Sequence, residues 1–295
     1  MRVGVIDVGT NSVRLLVADV NGRRVATVRR ALAITRLGEG IGDRMLRPAA
    51  ISRTLKTLAE FRELAAGAGA EKLIVVGTSA VREAENRREF VEAVREGLGL
   101  EVRVLSGYEE ARLGFLGAVT GLPLDPAGVA VVDVGGGSTE VAWLQEGTFR
   151  SRSLPLGAVR MTEGGWNEDA ARSLLAPVLE ELRGAGERRL VGVGGTVTTL
   201  AAVAQRLEPY DPERVHGYPL EIGVVAGLLE RLAGMDQESR RRVPGLQPER
   251  ADIIVAGTRI VLLVMAGLGA GVLTVSEHDL LHGVALTAGQ SGEKK

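Results

Sequence analysis

Two stretches decide the reading of this chain: Val3-Gly4-Val5-Ile6-Asp7-Val8-Gly9-Thr10-Asn11-Ser12 near its start, and Val129-Ala130-Val131-Val132-Asp133-Val134-Gly135-Gly136-Gly137-Ser138-Thr139-Glu140 near its middle. Each is an apolar run that ends in an aspartate and a glycine-bearing turn. Each is followed by a second apolar run, Val13 to Val17 in the first copy and Val141 to Leu144 in the second. Runs rich in β-branched residues and bounded by glycine read as strands, so each copy reads as a β-hairpin. An aspartate at the tip of a buried strand is costly unless something binds it. A glycine-rich turn exposes backbone N–H groups that can cradle a phosphate. Two such tips point to two related domains closing on one phosphorylated ligand and its metal.

Reading outward from these tips, residues 24–28 form a third strand and 48–66 a helix with Pro48 in its first turn. The run 73–76 lacks alternation, as expected of a strand covered on both faces. Helices at 86–98 and 108–119 flank a strand at 101–105, and Gly121-Leu122-Pro123-Leu124-Asp125-Pro126 reads as a junction. The second half repeats the order, with strands at 129–134, 139–144 and 148–153, a helix at 167–183, and a strand at 189–193 running through Gly194-Gly195-Thr196 into another helix. Helices at 221–233 and 248–267, a strand at 271–275 and a last helix from about 277 complete the chain. Three strands followed by alternating helices and strands, used twice, describe a duplicated mixed-sheet α/β domain, here 1–122 and 123–295.

Bulk properties bound the function. The 295 residues suffice for two domains, and 45% hydrophobic with 25% charged residues is ordinary for a globular protein. A net charge of −1 supplies no global basic field for nucleic acid, so a phosphate-rich ligand must be held by local arginines. The absence of cysteine excludes disulfides, thiolate metal sites and a thiol nucleophile. The first residues read as a strand interrupted by Asp7, not as a signal peptide, and the apolar stretch 260–275 is short and broken by Gly267, Gly269 and Gly271. A cytoplasmic protein without a membrane span is therefore expected, with a frayed tail at 291–295.

Other motifs say less. Gly192-Val193-Gly194-Gly195-Thr196 lacks the third spaced glycine of a dinucleotide fingerprint and reads as a close strand-to-helix turn, and no Walker A loop exists. His278 and His282 lie four apart on the predicted last helix. With no third ligand nearby they read as a surface or cleft-edge pair, not a zinc site. His216 falls in a loop after Pro212 that faces the cleft, and Arg240-Arg241-Arg242 reads as a solvated loop. On the residues alone, Glu109-Glu110 are helix N-terminal acids, and Thr78-Ser79-Ala80-Val81-Arg82 is a helix cap with a surface arginine.

Five segments, in order and spanning both halves, carry a resemblance. They are Asp7-Val8-Gly9-Thr10-Asn11-Ser12, Arg36-Leu37-Gly38-Glu39-Gly40, Gly77-Thr78-Ser79-Ala80-Val81-Arg82-Glu83-Ala84, Ser106-Gly107-Tyr108-Glu109-Glu110-Ala111-Arg112-Leu113, and Asp133-Val134-Gly135-Gly136-Gly137-Ser138-Thr139-Glu140. With them the chain resembles the exopolyphosphatase and guanosine pentaphosphate phosphatase family, within the actin, sugar kinase and Hsp70 superfamily. The resemblance implies duplicated ribonuclease H-like (actin-like ATPase) domains, each a mixed five-stranded sheet with flanking helices. It implies release of terminal orthophosphate from inorganic polyphosphate or guanosine pentaphosphate, with Glu110 as catalytic glutamate and Arg82 holding phosphate. The cradle is then Gly9, Thr10, Asn11, Ser12, Thr78, Ser79, Gly135, Gly136, Gly137 and Ser138, with Gly194 and Gly195 beside the phosphate tail. Mg²⁺ wants hard oxygen ligands, which Asp7, Asp133 and Glu140 supply. Leu281 stands where the family commonly has arginine, the extra C-terminal domains of longer members are missing, and a preference for short chains and a homodimer are expected. The rivals are a superfamily kinase and a nucleotide-switched scaffold.

Overall fold

The computed structural model describes residues 1–290, and each half of the chain builds one mixed sheet. The first combines β1 (Arg2–Val8), β2 (Ser12–Asn21), β3 (Arg24–Ile34), β4 (Lys72–Gly77) and β5 (Val102–Val104) in the order β3-β2-β1-β4-β5. The second combines β6 (Val129–Val134), β7 (Thr139–Gln145), β8 (Thr148–Leu154), β9 (Arg189–Val193), β10 (Pro219–Glu221) and β11 (Val272–Val275) in the order β10-β11-β9-β6-β7-β8. In both, the first three strands form an antiparallel meander and later strands join in parallel beside the first. This is the duplicated actin-like architecture. It departs from two five-stranded sheets by β10, a three-residue edge strand antiparallel to β11, too short to announce itself by alternation. Pro219 is tolerated there because an edge residue need not donate to the ladder.

The helices are α1 (Pro48–Gly67), α2 (Ser79–Glu83), α3 (Arg87–Leu98) and α4 (Gly107–Gly121) in the first half. They are α5 (Ala158–Glu163), α6 (Glu168–Gly184), α7 (Gly194–Gln205), α8 (Pro212–Val215), α9 (Ile222–Ala233), α10 (Gln237–Arg241), α11 (Ile254–Leu268) and α12 (Leu280–Gln290) in the second. Local chemistry sets several ends. Pro48 opens α1, and Asn167 caps α6 by accepting from the Ala170 N–H at 2.9 Å. Ser106 and Glu109 form a full capping box at α4.

Three boundaries differ from expectation. The strand expected at 24–28 continues to Ile34, because β3 pairs with β2 along its length while the edge exposes Arg29 and Arg30 and hides the pattern. The helix expected at 248–267 divides into a turn at Pro248–Arg250 and α11, a break that sends the Arg250 side chain inward to 6% exposure. The last helix starts at Leu280, not near 277. Ser276 Oγ bonds the backbone of His278, and the Asp279 carboxylate caps α12 by accepting from the Leu281 N–H.

Two helices exchange places. α4 belongs by sequence with the first sheet but packs on β6, β7 and β8, whereas α12 comes last and packs on β1 and β2. Phe115 and Ala118 of α4 join Val131 and Val191 in one core, and Leu281 and Val284 of α12 join Val5 and Leu16 in another. The two helices also cross each other at two glycines: a Cβ on Gly117 would overlap the Asp279 carbonyl, and one on Gly283 the Leu113 carbonyl. Among the described residues no helix is long and apolar enough to cross a membrane. The tail expected to fray lies outside the described residues.

Candidate active site

Both glycine turns close the same way: Gly9 N–H donates to the Ser12 carbonyl and Gly135 N–H to the Ser138 carbonyl, each at 3.0 Å. The strand register then sets Asp7 opposite Arg14, and Asp133 opposite Glu140. The duplication thus repeats the acid but swaps its cross-strand partner, a cation in the first copy and a second acid in the other. The turns meet across the cleft, where a Cβ on Gly136 would press on Thr10 and one on Gly137 on both Thr10 and Ser79.

The residues singled out at the two turns, at Thr78-Ser79 and at Gly194-Gly195 line one cavity of about 80 Å³ together with Asp7, Glu110, Asp133 and Glu140. Arg82 stands behind it. Its Nη1 lies 2.5 Å from Glu110 Oε2 and donates to the Leu105 carbonyl at 3.2 Å. Ser79 Oγ donates to Glu83 at 2.7 Å. Gly194 has φ +83°, and a side chain there would strike Asp133 Oδ1, so only glycine lets that carboxylate lie against the start of α7.

Crowding of acids sets the electrostatics. Burial first, then neighbouring carboxylates including Glu110 and Asp7, push Asp133 up to about 7 against the pull of Arg14. Glu140 is likewise pushed up to about 7 by burial and Asp133, although Ser153 Oγ donates to it at 2.7 Å. Glu110, 9% exposed, is raised well above the ordinary range by burial and by the charge of Glu140, with Arg82 opposing. Glu109 goes the other way, down to about 2, because the Ser106 N–H and Arg103 both hold its carboxylate.

Arg14 and Arg250, which sequence reasoning passed over, complete the cavity wall, and Asp279 pairs with Arg14 from outside that wall. Arg14 pairs with Asp7 at 2.7 Å and also with Asp279, and those two acids hold its charge firmly in place against burial. Asp279 is kept below the usual carboxylate range, since Arg14 and His282 together outweigh burial. Arg250 lies against Gly195 and donates to the Gln247 side chain at 2.8 Å, and burial followed by the charge of Arg14 lowers it to about 10. Arg14 was legible in principle, as the cross-strand counterpart of Glu140 in the repeat. Arg250 carried no such signal.

Several minor readings change. His282 is buried at 2% exposure and stacks on the half-buried His278, which stacks on His216, with ring centroids 4.0 and 4.9 Å apart; His282 lines a cavity at the cleft, so the pair stands at the cleft edge and not on the open surface. Burial and the neighbouring imidazoles lower His278 to about 3. Leu281 is 7% exposed in the α12 core and presents no polar group where an arginine was expected. Arg240 is half-buried and donates to the carbonyls of Met235 and Ala251, whereas Arg241 and Arg242 are exposed as expected.

A cation has partial preparation. Asp7 Oδ1 is buried in the cavity wall without a hydrogen-bond partner and can face a cation, whereas Asn11 Nδ2, a buried donor without an acceptor, suits a phosphate oxygen. Among the described residues no three carboxylates or imidazoles are grouped as a ready ligand cage. This donor set fits Mg²⁺, which is commonly held by one or two carboxylates together with waters and substrate phosphates.

Fold and cavity together define an actin-like phosphoryl-transfer protein, and residues 16–290 match the Ppx/GppA phosphatase family. The chain belongs to that family and is a phosphatase of the hydrolase class. It is 36% identical to exopolyphosphatase 2 of Mycobacterium tuberculosis over 312 aligned residues, covering 97% of this chain and 98% of that protein. Among solved structures, the Aquifex aeolicus member of the Ppx/GppA family aligns with a TM-score of 0.81 at 31% identity, covering 100% of this chain and 99% of that one. An exopolyphosphatase from Cytophaga hutchinsonii aligns with a TM-score of 0.89 at 26% identity, covering 99% and 98%.

Proposed function

We propose that this chain is an exopolyphosphatase that releases terminal orthophosphate from short inorganic polyphosphate. The observation that carries the reading is the convergence of both glycine turns, two guanidiniums and four carboxylates on one cavity. A phosphoanhydride end is highly charged, so its cleavage is mostly positioning and charge neutralisation. Thr10, Asn11, Gly136 and Gly137 offer hydrogen bonds to the terminal phosphate, and Arg14 and Arg250 offer guanidinium charge to the phosphates behind it. Mg²⁺, held by Asp7 with Asp133 or Glu140, would neutralise charge on those oxygens. Glu110 takes a proton from the attacking water as the water oxygen bonds to phosphorus. The bridging P–O bond breaks, and the shortened chain leaves with the bridging oxygen. Burial raises that carboxyl, which makes its ionised form a stronger base for the water proton. Arg82 orients Glu110 through their ion pair.

Guanosine pentaphosphate is the second reading. It is favoured by a cavity of about 340 Å³ that adjoins the first through Arg14, Gly195 and Arg250 and is walled by Leu15, Leu32 and Tyr210. An apolar wall suits a nucleoside better than a phosphate chain. Orthophosphate release measured side by side on short polyphosphate, long polyphosphate, guanosine pentaphosphate and ATP tests both. Turnover of ATP alone would overturn them. A homodimer is part of the proposal, and sedimentation equilibrium checks it.

A further inference from the structure

The structure assigns Arg160 a positioning role: it straps the Gly135–Gly137 turn of the second sheet to Ser79 of the first half, through Glu83. α5 begins directly behind that turn. The N–H groups of Ala158, Val159 and Arg160 donate to the carbonyls of Gly135 and Gly136 at 2.8 to 3.1 Å. Arg160 Nε then donates to the Gly137 carbonyl at 2.9 Å, so every glycine carbonyl of the turn is held by α5. The Nη2 of the same guanidinium crosses the cleft to Glu83 Oε2 at 2.6 Å. The other oxygen of Glu83 accepts from Ser79 Oγ at 2.7 Å. At its far end α5 reaches across again, where Glu163 accepts from the Gly40 N–H at 3.0 Å. Gly38, in the same segment as Gly40, donates to the Thr10 carbonyl at 2.8 Å. Both glycine turns are thereby braced from one six-residue helix.

Arg160 is suited to this task by its shape. One rigid fork serves two partners on opposite sides of the cleft, and an ammonium on a flexible stem cannot hold that geometry. The side chains of Arg160 and Glu83 are 13% and 29% exposed, so the pair is better shielded than a surface ion pair. The consequence is a link between closure and cradle geometry. With Glu83 held by Arg160, the Ser79 hydroxyl proton points to Glu83 and its oxygen stands against Gly137. Releasing the strap frees Ser79 and lets the Gly137 carbonyl turn, which misplaces the N–H groups that should meet developing charge. Arg160 does not itself line the cavity, so its effect is exerted through the wall residues that it holds.

This inference rests on the phosphatase reading of the same cavity. The test uses Arg160→Gln, Arg160→Lys, Glu83→Gln and the double variant Arg160→Gln/Glu83→Gln. Orthophosphate release is measured on short polyphosphate, with melting temperature and small-angle scattering on each protein. Misplacement of this kind costs about 10- to 100-fold in kcat. That loss is expected in Arg160→Gln with KM little changed. Arg160→Lys should fail to rescue, and the double variant should be no slower than Arg160→Gln alone. Wild-type kcat in Arg160→Gln with only a lower melting temperature would overturn the role, as would losses that multiply in the double variant. If wild type releases no phosphate from any substrate, the phosphatase reading fails and scattering decides the strap. A larger radius of gyration in Arg160→Gln supports it, and an unchanged one overturns it.

Discussion

Glu109 and Glu110 are neighbours in sequence with opposite surroundings. Glu109 closes the capping box and pairs with Arg103 on the outside, whereas Glu110 points into the cavity beside Glu140. Glu110→Gln should fold and lose about 10²- to 10⁴-fold in rate, the usual cost of a general base. Glu109→Gln should keep most of its activity and, because Gln also closes the capping box, lose at most about 1 kcal/mol of stability with the exposed Arg103 pair. Phosphate release and thermal melting on the two variants check this, and equal rate losses would contradict it. Asp133 yields a pH prediction. Its folded carboxyl, pushed up to about 7, binds its proton more tightly than the unfolded one does. It therefore favours folding below about pH 4 and loses that contribution as pH rises towards 7. Without metal, Asp133→Asn should melt close to wild type near pH 4 and above it near pH 8, by up to about 4 kcal/mol of linkage. Mg²⁺ at the higher pH should raise the wild-type melting temperature more than that of the variant. A metal-free wild type that is the more stable protein near pH 8 would refute the assignment.

At the level of elements, the exchanged helices α4 and α12 decide where chemistry happens. α4 carries Glu110 and packs on β6 and β7, the strands that carry Asp133 and Glu140, which is how a first-half glutamate reaches second-half acids. The crossing depends on Gly117, where any side chain would strike the Asp279 carbonyl. At Gly114, one turn earlier on the same helix, an added methyl would meet nothing within 4 Å. Gly117→Ala should therefore cost about 1–3 kcal/mol by overpacking. Gly114→Ala should be neutral or stabilise by up to about 1 kcal/mol through helix propensity. Chemical denaturation of the two variants measures the contrast, and a stable Gly117→Ala would show that the helices need not touch.

For the whole molecule, the cleft is held shut by ion pairs between the halves. Arg36 pairs with Asp252 at 2.7 Å, Arg30 with Glu277 and Arg160 with Glu83. A cavity of about 80 Å³ has room for little more than the reacting end of a substrate. With a net charge of −1 there is no extended basic field to retain a long polyanion. Short polyphosphate should be preferred, one phosphate released per encounter, and the rate should fall only modestly with salt. Product-length analysis checks this. Processive digestion of long polymers with short chains left untouched would contradict it.

The two Asp-Gly turns, the meander order and the acids at the strand ends were legible because they are local: alternation, glycine and strand-end polarity need only a few neighbouring residues. Glu110 was legible as a cavity residue through its segment Ser106 to Leu113, and the turn residues that line the cavity through their repetition. The rest depends on contacts between residues far apart in sequence. Arg250 enters the cavity because a predicted helix breaks before α11, and Asp279 meets Arg14 although the two stand 265 residues apart. The stacking of His216, His278 and His282, the exchange of α4 and α12, and the Arg160 strap likewise arise only when the two sheets face each other. Sequence pattern determined which side chains stand at strand ends and turns. Packing of one half against the other decided which charges meet, because Coulomb and hydrogen-bond partners are chosen by distance in space and not along the chain.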